Sequence, residues 1–458
     1  SRAAAITARD QLEERTNQLV LDRAAAVLAR DPTEALTWLA TLGERGVDPA
    51  RAWDLVDVAL GSGVAATVVR AGDDELRWVE ATADGFVTGG YDGRARRWPA
   101  GGGAPIELAQ LPGRVHVARP SPDGAMIAIG GDAGLVRVVD PAGATLATAS
   151  LTGDVQVATW TPDGAWLVVG DDRGGVLAWP RGGGAVRTLI GPTVGLESLA
   201  ASSDAVIAGD NDGHVWRWSL AAPGPALTAA TGGGQVSAVW TRGDRLVAVS
   251  EDGAVHRWQL VGDRLVAAPV IATGVTLKTA AIAADGTRAV LGGIDGRALL
   301  VTNAEVTALT PHRQQVRAVA IAGDGLRFAT AGEDGEIQSW DLATGRHLWL
   351  RGHRQRVRVL TFDRSGAELW SGDGGGEVRQ WRLAAVPVTV LAGPATAIEQ
   401  LALGADGQRV AAVDEAGEVW AWSLRGGDGA ARGRIAGRAT AIAALGTGAV
   451  VVGGTDGA

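Results

Sequence analysis

A repeat of about 40 residues runs through most of this 458-residue chain and constrains its fold more than any other feature. Each copy contains a tight turn ending in glycine, followed by a short strand that usually ends in tryptophan, as in Asn211-Asp212-Gly213 before Trp218. Successive turn glycines lie 39 to 43 residues apart. They are Gly93, Gly134, Gly174, Gly213, Gly253, Gly296, Gly335, Gly376, Gly417 and Gly457. We therefore expect nine complete copies and a truncated tenth, as in a fragment of a longer protein.

Each copy is predicted to contain four short strands. A second turn, often Asp-Gly as in Asp324-Gly325, precedes the first turn by about ten residues, and Asp-Gly between β-rich runs is a hairpin signal. In the seventh copy the predicted strands are Gln315–Ile321, Arg327–Ala331, Glu336–Asp341 and His347–Leu350. Four antiparallel strands in such a repeat are typical of the blade of a β-propeller. The sequence predicts an all-β propeller preceded by a short α-helical segment.

That helical segment is residues 1–62, which lack the repeat. Asp31-Pro32-Thr33-Glu34 combines an N-cap residue, proline at the first helical position and glutamate three residues after the cap. Asp48-Pro49 repeats the start signal, and Gly61 ends the third predicted helix. Val64–Arg70 is then predicted to be a strand that completes the last blade of a ring and so removes two open sheet edges.

The number of copies exceeds an ordinary ring, because propellers typically have four to eight blades. We expect residues 63–345 to form a seven-bladed ring, closed by Val64–Arg70 against Glu336–Asp341. Residues 346–458 would then begin a second ring. A single larger or open ring is the alternative.

The seventh copy resembles the WD repeat, and the resemblance extends over roughly residues 64–458. It carries the residue types that form a hydrogen-bonded tetrad in that family, namely His312, Thr330, Asp334 and Trp340. The resemblance implies that Trp340 donates to Thr330, which bonds His312, which Asp334 holds. The eighth copy has Gly375 at the position of that aspartate. Most blades are therefore expected to depend on apolar packing.

Residues 29–39 and 63–70 are also similar to the linker and first repeat of bacterial, myxobacterial-type serine/threonine kinases. This resemblance implies a larger signalling protein with a kinase domain and a membrane segment before residue 1. STAND-type NTPases that carry WD repeats are the alternative parent. Two compartments stay open, the cytoplasm or, if a membrane segment precedes, an extracytoplasmic space.

The composition excludes several kinds of chemistry. The chain has no cysteine, so thiol nucleophiles and cysteine metal sites are excluded. Its one lysine, Lys278, follows Leu277, so there is no P-loop Gly-Lys pair. The net charge of −9 argues against nucleic acid as a partner. The six histidines fall at different repeat positions, and we predict no catalytic residue, no cofactor and no metal.

Acidic side chains recur in the turn before the third strand, and in a propeller these turns gather on one face. The candidate rim for a partner consists of Asp171, Asp172, Asp210, Glu251, Glu333 and Asp373, interrupted by Arg313 and Arg354. An acidic rim attracts basic peptides. Ordinary turn chemistry is the alternative, since aspartate favours such positions. The expected partner is a protein or peptide, a basic one if the rim binds it, with no membrane contact in this segment and a monomeric chain.

These features favour a non-catalytic scaffold or sensor module of a bacterial signalling protein. The alternative from another class is an enzyme, because residues 340–349, Trp-Asp-Leu-Ala-Thr-Gly-Arg-His-Leu-Trp, are similar to the repeat of quinone-dependent dehydrogenase propellers. Converging polar side chains in the central channel would favour the enzyme, and a channel lined by backbone and small residues would favour the scaffold.

Overall fold

The structure is a computed structural model of the chain. It describes residues 2–43, 47–183, 185–222, 224–302, 305–383, 398–403, 409–414, 416–423, 430–434, 439–444 and 450–454. The turn glycine of the tenth copy, Gly457, lies outside these residues. The chain divides into two compact units, Ser1–Ala384 and Ala385–Ala458.

The first unit begins with three helices, α1 (Arg2–Leu28), α2 (Pro32–Leu39) and α3 (Pro49–Gly61). The two predicted start signals are confirmed. Asp31 accepts a hydrogen bond from the backbone N–H of Glu34, and Asp48 accepts one from Arg51. The helices share an apolar core of Leu21, Ala24, Val27, Ala35 and Leu39. None of the described helices is both long and apolar enough to cross a membrane.

Strand β1 (Ala65–Arg70) follows the helices, and the described strands of this unit form eight antiparallel sheets, here called blades 1 to 8. Blade 1 contains β2 (Leu76–Thr82), β3 (Gly85–Gly90), β4 (Arg94–Pro99) and β5 (Ile106–Gln110). Blade 2 contains β6 (Val115–Pro120), β7 (Ile127–Gly131), β8 (Leu135–Val139) and β9 (Thr145–Ser150). Blade 3 contains β10 (Val155–Trp160), β11 (Trp166–Asp171), β12 (Val176–Pro180) and β13 (Arg187–Thr188). Blade 4 contains β14 (Leu196–Ala201), β15 (Ala205–Asp210), β16 (His214–Ser219) and β17 (Leu227–Ala230).

The remaining blades of this unit follow the same order. Blade 5 contains β18 (Val236–Arg242), β19 (Arg245–Ser250) and β20 (Ala254–Val261), which pairs with both β21 (Arg264–Ala267) and β22 (Ile271–Ala272). Blade 6 contains β23 (Leu277–Ile282), β24 (Arg288–Gly293), β25 (Ala298–Thr302) and β26 (Glu305–Ala308). Blade 7 contains β27 (Val316–Ile321), β28 (Arg327–Gly332), β29 (Ile337–Asp341) and β30 (Arg346–Leu350). Blade 8 contains β31 (Val357–Phe362), β32 (Glu368–Asp373) and β33 (Glu377–Arg382).

The eight blades form a closed ring, since the first strand of each contacts the first strand of the next and β31 of blade 8 contacts β2 of blade 1. The apolar core lies between blades, as where Val168 of blade 3 shares a buried cluster with Val206 and Trp218 of blade 4. The prediction of an all-β propeller with four-stranded blades is confirmed. The strands predicted for the seventh copy agree with blade 7 to within one residue.

The repeated turn requires glycine for its backbone conformation. From Gly93 to Gly417, all nine turn glycines have φ between 71° and 88°. This is the left-handed region, which a side chain disfavours. The spacing that defined the repeat is thus the spacing of one obligatory turn per blade.

The position of ring closure differs from the prediction. Strand β1 pairs with β33 of blade 8, with Ala65 opposite Trp381 and Arg70 opposite Glu377. The predicted pairing with Glu336–Asp341 is wrong, because both edges of β29 are already bonded to β28 and β30. The first ring therefore has eight blades, and residues 346–383 belong to it and not to a second ring.

The second unit contains, in its described residues, one four-stranded sheet and one pair of strands. The sheet consists of β34 (Ile398–Leu403), β35 (Arg409–Asp414), β36 (Glu418–Ser423) and β37 (Ala430–Arg434). The pair consists of β38 (Ala439–Ala444) and β39 (Val450–Gly454).

Candidate functional site

In blade 7, three of the four predicted tetrad residues meet. His312 Nε2 lies 2.8 Å from Thr330 Oγ1, and His312 Nδ1 lies 3.4 Å from Asp334 Oδ1. Trp340 does not join them, because no hydrogen bond from its indole to Thr330 is present among the described residues. Its ring stacks instead on His347, with centroids 4.8 Å apart and planes at 5°. The implied bond from Trp340 to Thr330 is therefore corrected.

Blade 8 contains the complete network. Trp381 Nε1 donates to Ser371 Oγ over 2.8 Å, and His353 Nε2 lies 2.7 Å from the same oxygen. His353 Nδ1 lies 3.0 Å from Asp373 Oδ2. All four side chains are buried. The sequence indicated no aspartate for this blade because it has Gly375 at the expected position.

An aspartate at either of two backbone positions can place its carboxylate beside Nδ1 of the tetrad histidine. In blade 7 the turn residue Asp334 supplies it and the last residue of the second strand is Gly332, whereas in blade 8 the strand-end residue Asp373 supplies it. A Cβ built on Gly332 would lie 2.5 Å from Asp334 Oδ1 and 2.9 Å from His312 Nδ1. A glycine at one position thus leaves room for an aspartate at the other.

Both carboxylates are structural anions. Burial alone would raise the pKa of Asp373, but the hydrogen bond and charge of His353, with backbone N–H donors, lower it overall. The pKa of Asp334 is lowered in the same way against burial, by His312. A carboxyl group with a lowered pKa stays ionised near neutral pH, so neither is suited to general acid catalysis.

Three residues of the predicted rim are buried and hold their own turns. Asp171 accepts backbone N–H groups of Gly153, Arg173 and Gly175 at 2.9, 3.0 and 2.5 Å. Asp210 accepts the N–H groups of Asp212 and His214 and the indole of Trp216. Asp373 is the tetrad carboxylate described above. The carboxylate oxygens of all three residues are engaged in internal hydrogen bonds. Asp171, Asp210 and Asp373 are therefore removed from the candidate partner-binding rim.

The other predicted rim residues reach the surface. Asp172, Glu251 and Arg313 are exposed, and Glu333 is half-buried, with an oxygen 3.6 Å from Arg317 Nε. Sequence reasoning omitted Asp212, which is exposed in the equivalent turn of blade 4. The exposed carboxylates Asp172, Asp212 and Glu251 thus lie on consecutive blades 3, 4 and 5, and we call them the acidic arc.

The remaining rim residue, Arg354, is engaged by the helical segment. Its guanidinium lies 3.0 Å from Glu34 of α2. Beside it, Arg379 of blade 8 forms a two-pronged buried ion pair with Asp31, over 3.1 and 2.7 Å. The sequence shows no signal for this pair, since its partners are 348 residues apart.

Two groups of histidine and carboxylate atoms are close enough to hold a metal ion, His116 with Asp132 and Asp154, and His353 with Asp373 and Glu377. In both groups a guanidinium of the protein already forms an ion pair with one of the carboxylates. The guanidinium of Arg114 lies 3.0 Å from Asp132, and that of Arg379 lies 2.6 Å from Glu377. Both ring nitrogens of His353 are also hydrogen-bonded. The arrangement suits internal ion pairing better than a metal.

Comparison with known proteins shows a WD repeat within the ring. Residues 303–341 match the family model described as WD domain, G-beta repeat. A stretch of 43 residues is 46% identical to the ribosome biogenesis protein erb1 of Aspergillus clavatus and 44% identical to that of Neosartorya fischeri. The chain spans only 6% and 5% of the length of those two relatives.

Among solved structures, the crystal structure of the computationally designed Ika8 protein is similar, with a TM-score of 0.60 and 19% sequence identity. The match covers 70% of this chain and 100% of that one. At this identity the likeness concerns the fold alone.

Proposed function

We propose that the ring is a non-catalytic scaffold that binds a basic protein or peptide on the face formed by the turns before the third strands. The WD repeat in blade 7 supports this, since repeats of this type suggest a protein-interaction scaffold and no catalytic family is indicated. The closed eight-bladed ring supplies a rigid frame. Binding a partner therefore costs little conformational entropy of the scaffold.

The observation that carries the proposal is the acidic arc. Asp212 and Glu251 are exposed and, among the described residues, make no ion pair or side-chain hydrogen bond. Buried carboxylates fix the backbone directly before two of these turns, Asp171 before Asp172 and Asp210 before Asp212. The arc therefore presents fixed negative charge on three adjacent blades.

The opposite side of the same face has a different character. Arg313 and Arg354 project from the loops that enter blades 7 and 8, and α2 already occupies Arg354 through Glu34. A basic partner is attracted to blades 3 to 5 and repelled from blade 7. This asymmetry gives the face one preferred docking region and orientation.

Fluorescence polarisation with a labelled Lys/Arg-rich peptide tests the proposal. We expect salt-sensitive binding that weakens by at least about tenfold in the double variant Asp212→Lys/Glu251→Lys. The control is Asp263→Lys, which makes the charge change of one of these two substitutions at an exposed turn on the outer edge of blade 5 and should leave binding unchanged. Equal loss in the control and the double variant, or no binding to the wild type, contradicts the acidic arc as the docking region.

We further propose that the scaffold serves a larger bacterial signalling protein, with a kinase as the preferred parent and a STAND-type NTPase as the other. Support comes from the resemblance of residues 29–39 and 63–70 to the linker of such kinases. Sequencing the reading frame upstream of Ser1 tests this. A kinase or NTPase domain there supports it, and an unrelated domain or none contradicts it.

A further inference from the structure

The first strand of every blade has an irregularity at the same place. In β2 the pairing register shifts between Leu76 and Trp78, and in β23 it shifts between Leu277 and Thr279. The equivalent shift is present in the first strand of each of the eight blades, so the second residue of each strand is a bulge residue. These residues are Arg77, His116, Gln156, Glu197, Ser237, Lys278, Arg317 and Arg358.

A bulge redirects a side chain, and here it brings charged groups to the axis of the ring. One cavity of about 210 Å³ is lined by Leu76, Arg77, Glu197, Lys278, Thr279, Arg317 and Arg358. These residues come from the first strands of blades 1, 4, 6, 7 and 8, and only a cavity on the axis contacts strands so far apart around the ring. We call this space the axial pocket.

Cations dominate the axial pocket. Lys278, Arg317, Arg358 and Arg77 are contributed by four consecutive blades, 6, 7, 8 and 1, and Lys278 is the single lysine of the chain. The one carboxylate in the lining is Glu197 of blade 4. Four like charges around a small cavity repel one another, and an anion in the cavity would relieve that repulsion.

Internal partners neutralise only half of these cations. Glu75 forms an ion pair with Arg358, and Glu333 lies 3.6 Å from Arg317. For Arg77 and Lys278 the described residues show no ion pair and no hydrogen bond. The hydrogen-bond donors of both are therefore available to a ligand, and Glu197 is the one carboxylate of the lining that attracts their charges.

The pKa of Glu197 is affected by both the burial and the cations of the axial pocket. Desolvation raises its pKa, while the positive charges of Lys278 and Arg77 act in the opposite direction. A carboxyl group whose pKa is raised, beside several cations, does not make a site for a hard metal ion. This charge pattern disfavours the hard cation that a quinone-dependent dehydrogenase requires, although polar side chains do converge on the channel.

We propose that the axial pocket binds phosphate, either as the free ion or as the phosphate group of a small ester, held by Lys278 and Arg77 with Arg317 and Arg358 beside them. A doubly charged oxyanion matches two unpaired cations better than a carboxylate does, and arginine and lysine are the residues that bind phosphate. The pocket volume is below the roughly 300–1,000 Å³ of typical ligand sites, so the cavity has room for a phosphate and a small attached group but not for a large ligand.

Isothermal titration calorimetry with inorganic phosphate and with glycerol phosphate, in sodium chloride of matched ionic strength, tests the site. We expect the wild type to bind at least one of the two probes. Inorganic phosphate alone would identify a free ion as the ligand, and tighter binding of glycerol phosphate would identify a phosphate ester. The double variant Arg77→Gln/Lys278→Gln should bind at least about tenfold more weakly. The control Arg264→Gln removes an exposed arginine of β21, on the outer edge of blade 5, and should bind as the wild type does.

A third variant tests the sign of the effect. Glu197→Gln removes the one negative charge of the lining at constant size, so we expect phosphate to bind several-fold more tightly. Absence of heat in the wild type with both probes overturns the proposal. So does equal weakening in Arg264→Gln, or weaker binding in Glu197→Gln when circular dichroism shows a folded protein. None of these outcomes depends on the acidic arc, so the two proposals succeed or fail separately.

Discussion

Blades 7 and 8 are neighbours with the same strand register, yet only blade 8 completes the tetrad. In both, the tryptophan of the third strand lies opposite an apolar residue of the second strand, Phe328 in blade 7 and Leu369 in blade 8. Trp381 of blade 8 is fully buried and hydrogen-bonded, whereas Trp340 of blade 7 is half-buried and bonded to neither Thr330 nor His312. The blade whose sequence resembles the family most is thus the one whose tryptophan departs from the family's network.

The outer strand explains the difference. Trp340 lies opposite His347 of β30, and the two rings stack at 4.8 Å. Trp381 lies opposite Ala65 of β1, which offers no ring. In blade 1, Trp98 also donates to Thr88 over 3.0 Å. A phenylalanine of the second strand, Phe86, lies opposite this tryptophan, as Phe328 does in blade 7. Blade 7 is therefore distinguished by the aromatic residue on its fourth strand, His347, and not by Phe328 on its second strand.

The largest expected effect compares the two tryptophans. Trp381→Ala removes a fully buried ring and the donor to Ser371, so we expect a loss of about 4 kcal/mol in the free energy of unfolding. Trp340→Ala should lose about 2 kcal/mol, because its ring is less deeply buried and makes no tetrad hydrogen bond. Urea denaturation followed by circular dichroism measures both. Equal losses would show that neither the deeper burial of Trp381 nor its hydrogen bond to Ser371 adds stability.

The contrast also shows which features the sequence determines. The repeat predicted each strand of blade 7 to within one residue, because turn glycines and alternating apolar residues are local requirements. The carboxylate of blade 8 was missed although Asp373 is visible in the sequence. In blade 8 the aspartate lies at the end of the second strand and a glycine lies in the turn, whereas blade 7 has these two residue types exchanged. Only the geometry around Gly332 shows that both arrangements place a carboxylate beside the histidine.

The site of ring closure is constrained by the fourth strand of blade 7. His347–Leu350 was predicted as the fourth strand of the seventh copy, which left β29 without a free edge for Val64–Arg70. The eighth copy has Pro387 soon after its third strand, and proline cannot donate to a ladder. The helical docking that fixes the closing strand to blade 8 could not be predicted, since the ion pair of Asp31 and Arg379 joins distant parts of the chain.

That ion pair gives the second prediction, which concerns blade 8 alone. Asp31→Asn keeps a good N-cap for α2 but leaves the buried Arg379 with one partner fewer, so we expect a loss of about 2 kcal/mol in unfolding free energy. Glu377, 2.6 Å from Arg379, limits the loss. The matched control is Asp48→Asn, which caps α3 in the same way at an exposed site and should change stability by less than about 0.5 kcal/mol. A similar loss in both variants would assign the effect to capping and not to the ion pair.

The smallest expected effect tests the cause of the difference between the blades. His347→Ala removes the ring that stacks on Trp340 and makes the outer strand of blade 7 resemble β1 at Ala65. We expect the indole to turn inward, so that Trp340 Nε1 approaches Thr330 Oγ1 to about 3 Å, the hydrogen-bond distance that blades 1 and 8 show. The variant loses one ring contact and the hydrogen bond between His347 Nε2 and Gln338 Oε1, and it gains one buried hydrogen bond. We therefore expect a net loss of about 1 kcal/mol in the free energy of unfolding. A crystal structure of the variant measures the distance directly. If Trp340 keeps its present position without His347, the outer strand does not control the tetrad, and the reason for its incompleteness lies in the packing of blade 7 against its neighbours.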